Sequence, residues 1–262
     1  MEITGYSPGD FCGPELTTRD LAAAKDFYTR LFGWTASDRG DRGGTTYVVL
    51  ENDGRDVGAL ASSGLEAAGR TASPHWMPYV AVKSAEEAAA KAAALGGEVL
   101  LEPVDVTNAG RKAVLADPLG ARFGLWQPRK RIGSRLLGEA GSFCWNELYT
   151  NDAERAAAFY GDLFGWHGAR ATLPTPPYDY TVFRLGEINV AGMIVIPKEW
   201  GPVPTHWLVY FAVESCDASE RNALRLGAQS VFPPTEFPNV GRLAILKDPQ
   251  GAAFALFTAA GR

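Results

Sequence analysis

Four residues of this chain are the candidates to move protons: Glu15, His75, Glu147 and His206. A carboxylate held among apolar groups has its ionised form disfavoured and can serve as a general acid or base. A neutral imidazole can bind or relay a proton near physiological pH. Each also has a structural reading. A Glu near a strand end can be satisfied by a helix N-terminus or by an arginine, here Arg111 or Arg242, and a His-Trp pair entering a strand can simply join strand to loop. His167 has no counterpart elsewhere in the chain and reads as a surface residue.

These residues come in pairs because the chain is a repeat. Residues 11–34, FCGPELTTRDLAAAKDFYTRLFGW, return as residues 143–166, FCWNELYTNDAERAAAFYGDLFGW, with 13 of 24 positions identical. Residues 75–126 return as residues 206–257 with 21 of 52 identical, so both halves of the unit are duplicated. Positions kept in both copies are expected to be scaffold, and positions that differ mark where function specialised. The length suits two domains, placed at 1–130 and 142–262 with a linker at 131–141.

Within each copy, a strand (Phe11 to Thr17, Phe143 to Thr150) precedes a helix capped by Asp20 or Asp152. Its apolar stripe, Ala24, Phe27, Tyr28, Leu31 and Phe32, ends at Gly33, and the partner stripe ends at Gly165. Two strands are expected next: Thr46–Glu51 with Val57–Ala61, and Tyr180–Leu185 with Val190–Ile196. The pattern then restarts with a strand at Trp76–Val82, a helix opened by Ser84, and strands around Glu98–Glu102, Lys112–Ala116 and Arg122–Trp126. The last two are joined by the turn Asp117-Pro118-Leu119-Gly120.

The motifs FYxxLFGW and GRxAxLxDPxGAxFxL in this arrangement resemble the vicinal-oxygen-chelate superfamily of glyoxalase I, bleomycin-resistance proteins and extradiol dioxygenases, and within it tandem glyoxalase-like proteins of actinobacteria. The resemblance implies an α+β fold of tandem βαβββ modules, four modules in two homologous domains. In metal-dependent relatives the ligands are His or Gln on the opening strand of each unit and Glu on the last. The matching positions here are Gly13 and Trp145, Met77 and Leu208, and Gly124 and Ala255. None of these can donate to a metal. A shifted ligand set of Glu15, His75, Glu147 and His206 is the rival to a metal-free site. The expectation is no metal and no cofactor.

The same positions outline a ligand cavity in each copy. Phe11, Gly13, Met77, Tyr79 and Trp126 are the substrate-binding candidates of the first, and Phe143, Trp145, Leu208, Tyr210 and Phe257 those of the second. Gly13 leaves its floor open, whereas Trp145 either offers an indole for a conjugated ligand to stack on or fills the space. The preferred ligand contact is Trp145. The second copy is Pro-rich at Leu173–Tyr178 and Pro197–Pro204, and the first is Gly-rich at Arg39–Gly44, which lacks a phosphate-loop pattern and reads as a flexible turn.

Composition narrows the partners. A net charge of -5 argues against a nucleic-acid surface, and the basic run Arg129, Lys130, Arg131 and Arg135 reads as a solvated linker. No apolar stretch is long enough for a membrane span and no signal peptide is evident, so a cytoplasmic protein without membrane partners is expected, as monomer or homodimer. Cys12, Cys144 and Cys216 form no metal or disulfide pattern. The expected function is metal-independent binding of a small aromatic or apolar metabolite, resembling drug sequestration. One alternative is a metal-independent hydroxylase, lyase or isomerase of secondary metabolism that uses the Glu and His residues; another is a metal-dependent glyoxalase or dioxygenase with displaced ligands.

Overall fold

A computed structural model describes residues 2–42, 45–62, 73–172 and 179–261. The Leu173–Tyr178 segment and Gly43–Gly44 lie outside these residues. The first copy runs β1 (Phe11–Thr18), α1 (Leu21–Phe32), β2 (Thr35–Arg42), β3 (Thr45–Asn52), β4 (Arg55–Ser62), β5 (His75–Ala81), α2 (Ala85–Ala94), β6 (Glu98–Val106), β7 (Gly110–Ala116) and β8 (Arg122–Pro128). The second repeats this order with β9 (Ser142–Thr150), α3 (Ala153–Phe164), β10 (His167–Thr172), β11 (Asp179–Leu185), β12 (Ile188–Val195), β13 (His206–Ala212), α4 (Cys216–Arg225), β14 (Gln229–Phe237), β15 (Gly241–Lys247) and β16 (Ala253–Ala259). A short 3-10 turn at Lys198–Trp200 sits in the Pro197–Pro204 loop.

Strands β2 and β10 are additions to the sequence reading. Thr35–Arg42 and His167–Thr172 carry polar and glycine residues, because each is an edge strand with one neighbour, and an edge strand need not show apolar alternation. The Arg39–Gly44 segment read as a turn is strand through Arg42.

Each copy forms one eight-stranded sheet. The first has the order β2-β3-β4-β1-β5-β8-β7-β6, and the second the matching order β10-β11-β12-β9-β13-β16-β15-β14. At the centre, β1 pairs antiparallel with β5 and parallel with β4, so the opening strands of the two modules lie side by side.

The helices begin and end as their sequences require. Asp20 accepts from the Ala23 amide, Asp152 from Arg155 and Ser84 from Glu87, each satisfying a donor that the first turn leaves free. Gly33 and Gly165 close α1 and α3 at φ of 74° and 77°, a left-handed conformation that favours glycine.

Strand alternation then divides each sheet. Leu16, Trp76, Val80, Leu148, Trp207 and Val209 face a core built from both copies, where they meet the helices. Glu15, Met77, Tyr79, Glu147, Leu208 and Tyr210 fall on the opposite, concave faces.

The shared core is locked reciprocally. The Trp76 indole donates to the Tyr28 hydroxyl at 2.8 Å, which donates to Asp248 of the other copy at 3.0 Å. The same chain runs from Trp207 through Tyr160 to Asp117, with the same distances. Thus the Tyr of each FY motif reaches the Asp of the opposite DPxG turn. Each Asp also holds its own turn: Asp117 accepts the amides of Leu119 and Ala121, and Asp248 those of Gln250 and Ala252. Trp34 and Trp166 donate across the same boundary, to the carbonyls of Gly141 and Gly9.

Candidate functional site

A cavity of about 890 Å³ lies on the concave face of the first sheet. That volume suits a drug-sized molecule. Gly13, Met77, Tyr79 and Trp126 line it, together with Glu15 and His75. Val49, Leu101 and Val114 extend the apolar wall.

Glu15 anchors the polar part of the wall. Only 4% of it is exposed, and its carboxylate receives hydrogen bonds from the Tyr47 hydroxyl on Oε2 and the Tyr79 hydroxyl on Oε1, the latter at 3.1 Å. Lys112 Nζ lies 3.0 Å from Oε1 and 3.2 Å from Oε2, and 5.2 Å from the centre of the Tyr47 ring. Burial raises the Tyr47 and Tyr79 hydroxyls well above the usual phenol range, with the Glu15 charge adding to the effect, so both remain donors.

The arginines expected beside the two glutamates are elsewhere. Arg111 pairs with Glu86 and Asp105, and Arg242 with Asp217, near the starts of α2 and α4. Adjacent strand residues face opposite ways, so it is the neighbour of Arg111, Lys112, that turns to Glu15. The sequence signal for that partner is weak: strand alternation puts Lys112 on the same face as Val114, and nothing local points to Glu15.

Phe11 and Phe143 do not face the cavities. A register shift between Phe11 and Gly13, matched by one between Tyr210 and Phe211 opposite Phe143, reverses the alternation at the start of β1 and β9. Phe11 packs instead against Trp166 and Trp207 in the shared core, 5.3 Å from each, and Phe143 is buried in the same core.

The basic segment is not a freely solvated linker. Arg131 pairs with Asp56 at 3.3 Å, and Lys130, Arg131, Gly133 and Ser134 line the cavity. Ser134 lies over Gly13, where a Cβ would come within 2.8 Å of its Oγ. The floor that Gly13 leaves open is therefore partly closed by this segment.

Among the described residues, large side chains crowd the second concave face. Trp145, Tyr149, Tyr180, Ile194, Leu208, Tyr210, Leu243 and Phe257 belong to one apolar cluster there. The Trp145 indole donates to the Tyr180 hydroxyl at 3.2 Å, and its half-buried ring packs against this cluster. Glu147, 5% exposed, accepts from Tyr210 at 2.8 Å, with Tyr180 and Tyr149 also supplying hydroxyls. Leu243 takes the place of Lys112. Burial consequently pushes the Glu147 carboxyl above the usual range, and the three hydroxyls offset this only in part.

His75 and His206 enter β5 and β13 alike. Each places Nδ1 2.8 Å from a carbonyl two residues earlier, Ser73 or Pro204, and since a carbonyl only accepts, Nδ1 carries the proton. His206 also stacks on Tyr149 with ring centres 5.0 Å apart, and burial lowers its pKa.

These donor sets do not fit a metal ion. Among the described residues no three His, Cys, Asp or Glu side chains gather as a ligand group. A cation already sits on both Glu15 oxygens, and a Cβ on Gly124, the position of the resembled family's carboxylate, would lie 2.3 Å from the Tyr79 ring. The three cysteines are free thiols; Cys12 and Cys216 are buried, and burial raises Cys144 and Cys216 to about 12. No described helix is long and apolar enough to cross a membrane.

The duplicated sheet, its opening strands side by side, can be set against known proteins. Residues 12–125 match the family model of the Glyoxalase/Bleomycin resistance protein/Dioxygenase superfamily, and residues 143–257 that of a Glyoxalase-like domain. The chain is 37% identical over 243 residues to the "Putative glyoxylase CFP32" of Mycobacterium tuberculosis, covering 92% of each chain. It belongs to this superfamily. It is also 36% identical to the "Anthracycline biosynthesis protein DnrV" of Streptomyces peucetius, covering 97% of this chain and 94% of that protein. Among solved structures, the Mn(II)-bound glyoxalase from Novosphingobium aromaticivorans superposes with a TM-score of 0.63 at 16% identity, covering 96% of this chain and 82% of the other. The 2,3-dioxygenase LapB from Pseudomonas sp. KL28 gives 0.63 at 14% identity over 96% and 92%. At these identities the superfamily structures establish the shared fold.

Proposed function

We propose that this protein binds one small, flat, aromatic or extended apolar metabolite per chain, in the cavity of its first domain, and holds it with side chains rather than through a metal ion. The observation that carries this reading is the cavity of about 890 Å³ on one concave face where the other is packed. Its walls combine apolar and aromatic surface from Met77, Tyr79, Val114 and Trp126 with one concentrated polar group around Glu15, the composition of a ligand site. The likeness to a protein named for anthracycline biosynthesis supports a polycyclic aromatic ligand. Binding is favoured over proton transfer because Glu15, the carboxylate best placed for catalysis, already accepts from two tyrosines and a lysine.

The test is a fluorescence titration of chelator-treated protein with 2-methoxyanthraquinone. Trp126 reports from the cavity wall. One site per chain is expected, with affinity unchanged by chelator and quenching reduced in Trp126→Phe. Two sites per chain, or affinity that returns only with added metal, overturns the reading.

A further inference from the structure

Glu15 is a saturated acceptor. A carboxylate offers about four lone-pair sites, and two hydroxyls plus two contacts from Lys112 meet its oxygens. What this cluster presents to a ligand is therefore a donor. An ammonium carries three N–H groups, and the two Glu15 oxygens engage two of them. The third is left for an occupant of the cavity, whose wall includes Lys112.

The field of Lys112 is offset only in part by its partner. Two of the donors on Glu15 are neutral hydroxyls, whose dipoles take up part of the carboxylate's charge. The wider wall leans the same way. Arg39, Lys112, Lys130 and Arg131 supply four cations. Glu15, Asp56 and Asp105 supply three carboxylates, although the whole chain is net negative. The Lys112 side chain is 12% exposed and is held against Glu15 and the Tyr47 ring, so its cation is fixed in place. A fixed cation in a largely water-excluded wall stabilises negative charge that forms beside it.

We infer that the ligand carries an acidic oxygen, a phenol or enol conjugated with its ring system, and that Lys112 Nζ receives this oxygen in its ionised form. The inference rests on the reading of the cavity as an aromatic-ligand site and adds the chemical class of ligand. The second domain supplies the contrast, since Leu243 at the equivalent position offers no donor.

The test uses 2-hydroxyanthraquinone, whose visible absorption changes on ionisation, and its methyl ether, which cannot ionise. With the full chain, the bound phenol should ionise at a pH at least one unit lower than the free dye, an approximately tenfold preference for the phenolate. Lys112→Leu should abolish that shift, Lys112→Arg should retain part of it, and the methyl ether should lose less affinity in Lys112→Leu than the ionised phenol does. Lys112→Leu leaves Glu15 without its cation, so the uncharged pair Glu15→Gln/Lys112→Leu is measured alongside; it too should bind the dye without shifting its ionisation. An unshifted dye in the wild-type protein, or a shift that survives in the double variant, overturns the role of Lys112 while leaving the cavity reading intact. Failure of both dyes to bind the wild-type protein sinks the cavity reading and this inference with it.

Discussion

The two concave faces start from the same strands and end as different objects. In the first, Gly13, Thr17 and Ala61 occupy positions that Trp145, Tyr149 and Ile194 hold in the second, as strand pairing aligns them. Three small residues against three large ones are enough to separate a cavity from a packed cluster. Both faces keep a buried Glu, but they neutralise it differently: Lys112 meets Glu15, whereas Glu147 has only hydroxyls.

The most severe way to break this comparison is to make the first face resemble the second. Thr17→Tyr combined with Ala61→Ile should fill the cavity and weaken dye binding more than about 100-fold, equivalent to roughly 2.7 kcal/mol. Retained affinity in this variant, with its melting temperature near wild type, would place the ligand elsewhere.

The shared core should respond symmetrically where the concave faces do not. Tyr28→Phe and Tyr160→Phe each remove a donor from a buried Asp, and each should cost about 1–3 kcal/mol in denaturant unfolding. A cost confined to one of the pair would show that the matching geometries are not energetically matched.

The two glutamates should differ in pH response. The Glu147 carboxyl has its folded-state pKa raised above its unfolded value, so it penalises the folded state as pH rises through that folded value, and the penalty is absent below the unfolded value. Glu147→Gln should therefore gain stability relative to wild type as the pH rises from 4 to 8. Equal stability differences at both ends of that range would contradict the assignment. The smallest effect on the ligand is expected from Trp145→Ala, which should change dye affinity by less than about twofold while lowering stability by up to about 3 kcal/mol. A lost ligand would return the site to the second domain.

How far this was legible in the sequence differs from residue to residue. The helices were readable because Asp20, Asp152, Gly33 and Gly165 act locally, through hydrogen bonds and φ angles set within a few residues. Edge strands β2 and β10 were not, since half-exposed edges carry no apolar alternation. Gly13 against Trp145 was visible as a difference, yet its direction depended on Tyr149, Tyr180 and Ile194, which lie elsewhere along the chain. Phe11 and Phe143 were misplaced because a bulge reverses every inference from alternation beyond it. Lys112 went unnoticed because its importance lies in a contact with a residue 97 positions away.

The reciprocal Tyr–Asp lock has a consequence for the chain as an inheritance. Either half made alone would leave a tyrosine without its acceptor and an aspartate turn without its outside donor, at a surface lined with exposed tryptophan and phenylalanine. The halves should consequently stay together when the backbone between them is cut, and melt in one transition. Each copy is thus bound to its partner through the core side of its sheet, and substitutions meet fewer shared constraints on the concave faces, where the copies do not touch.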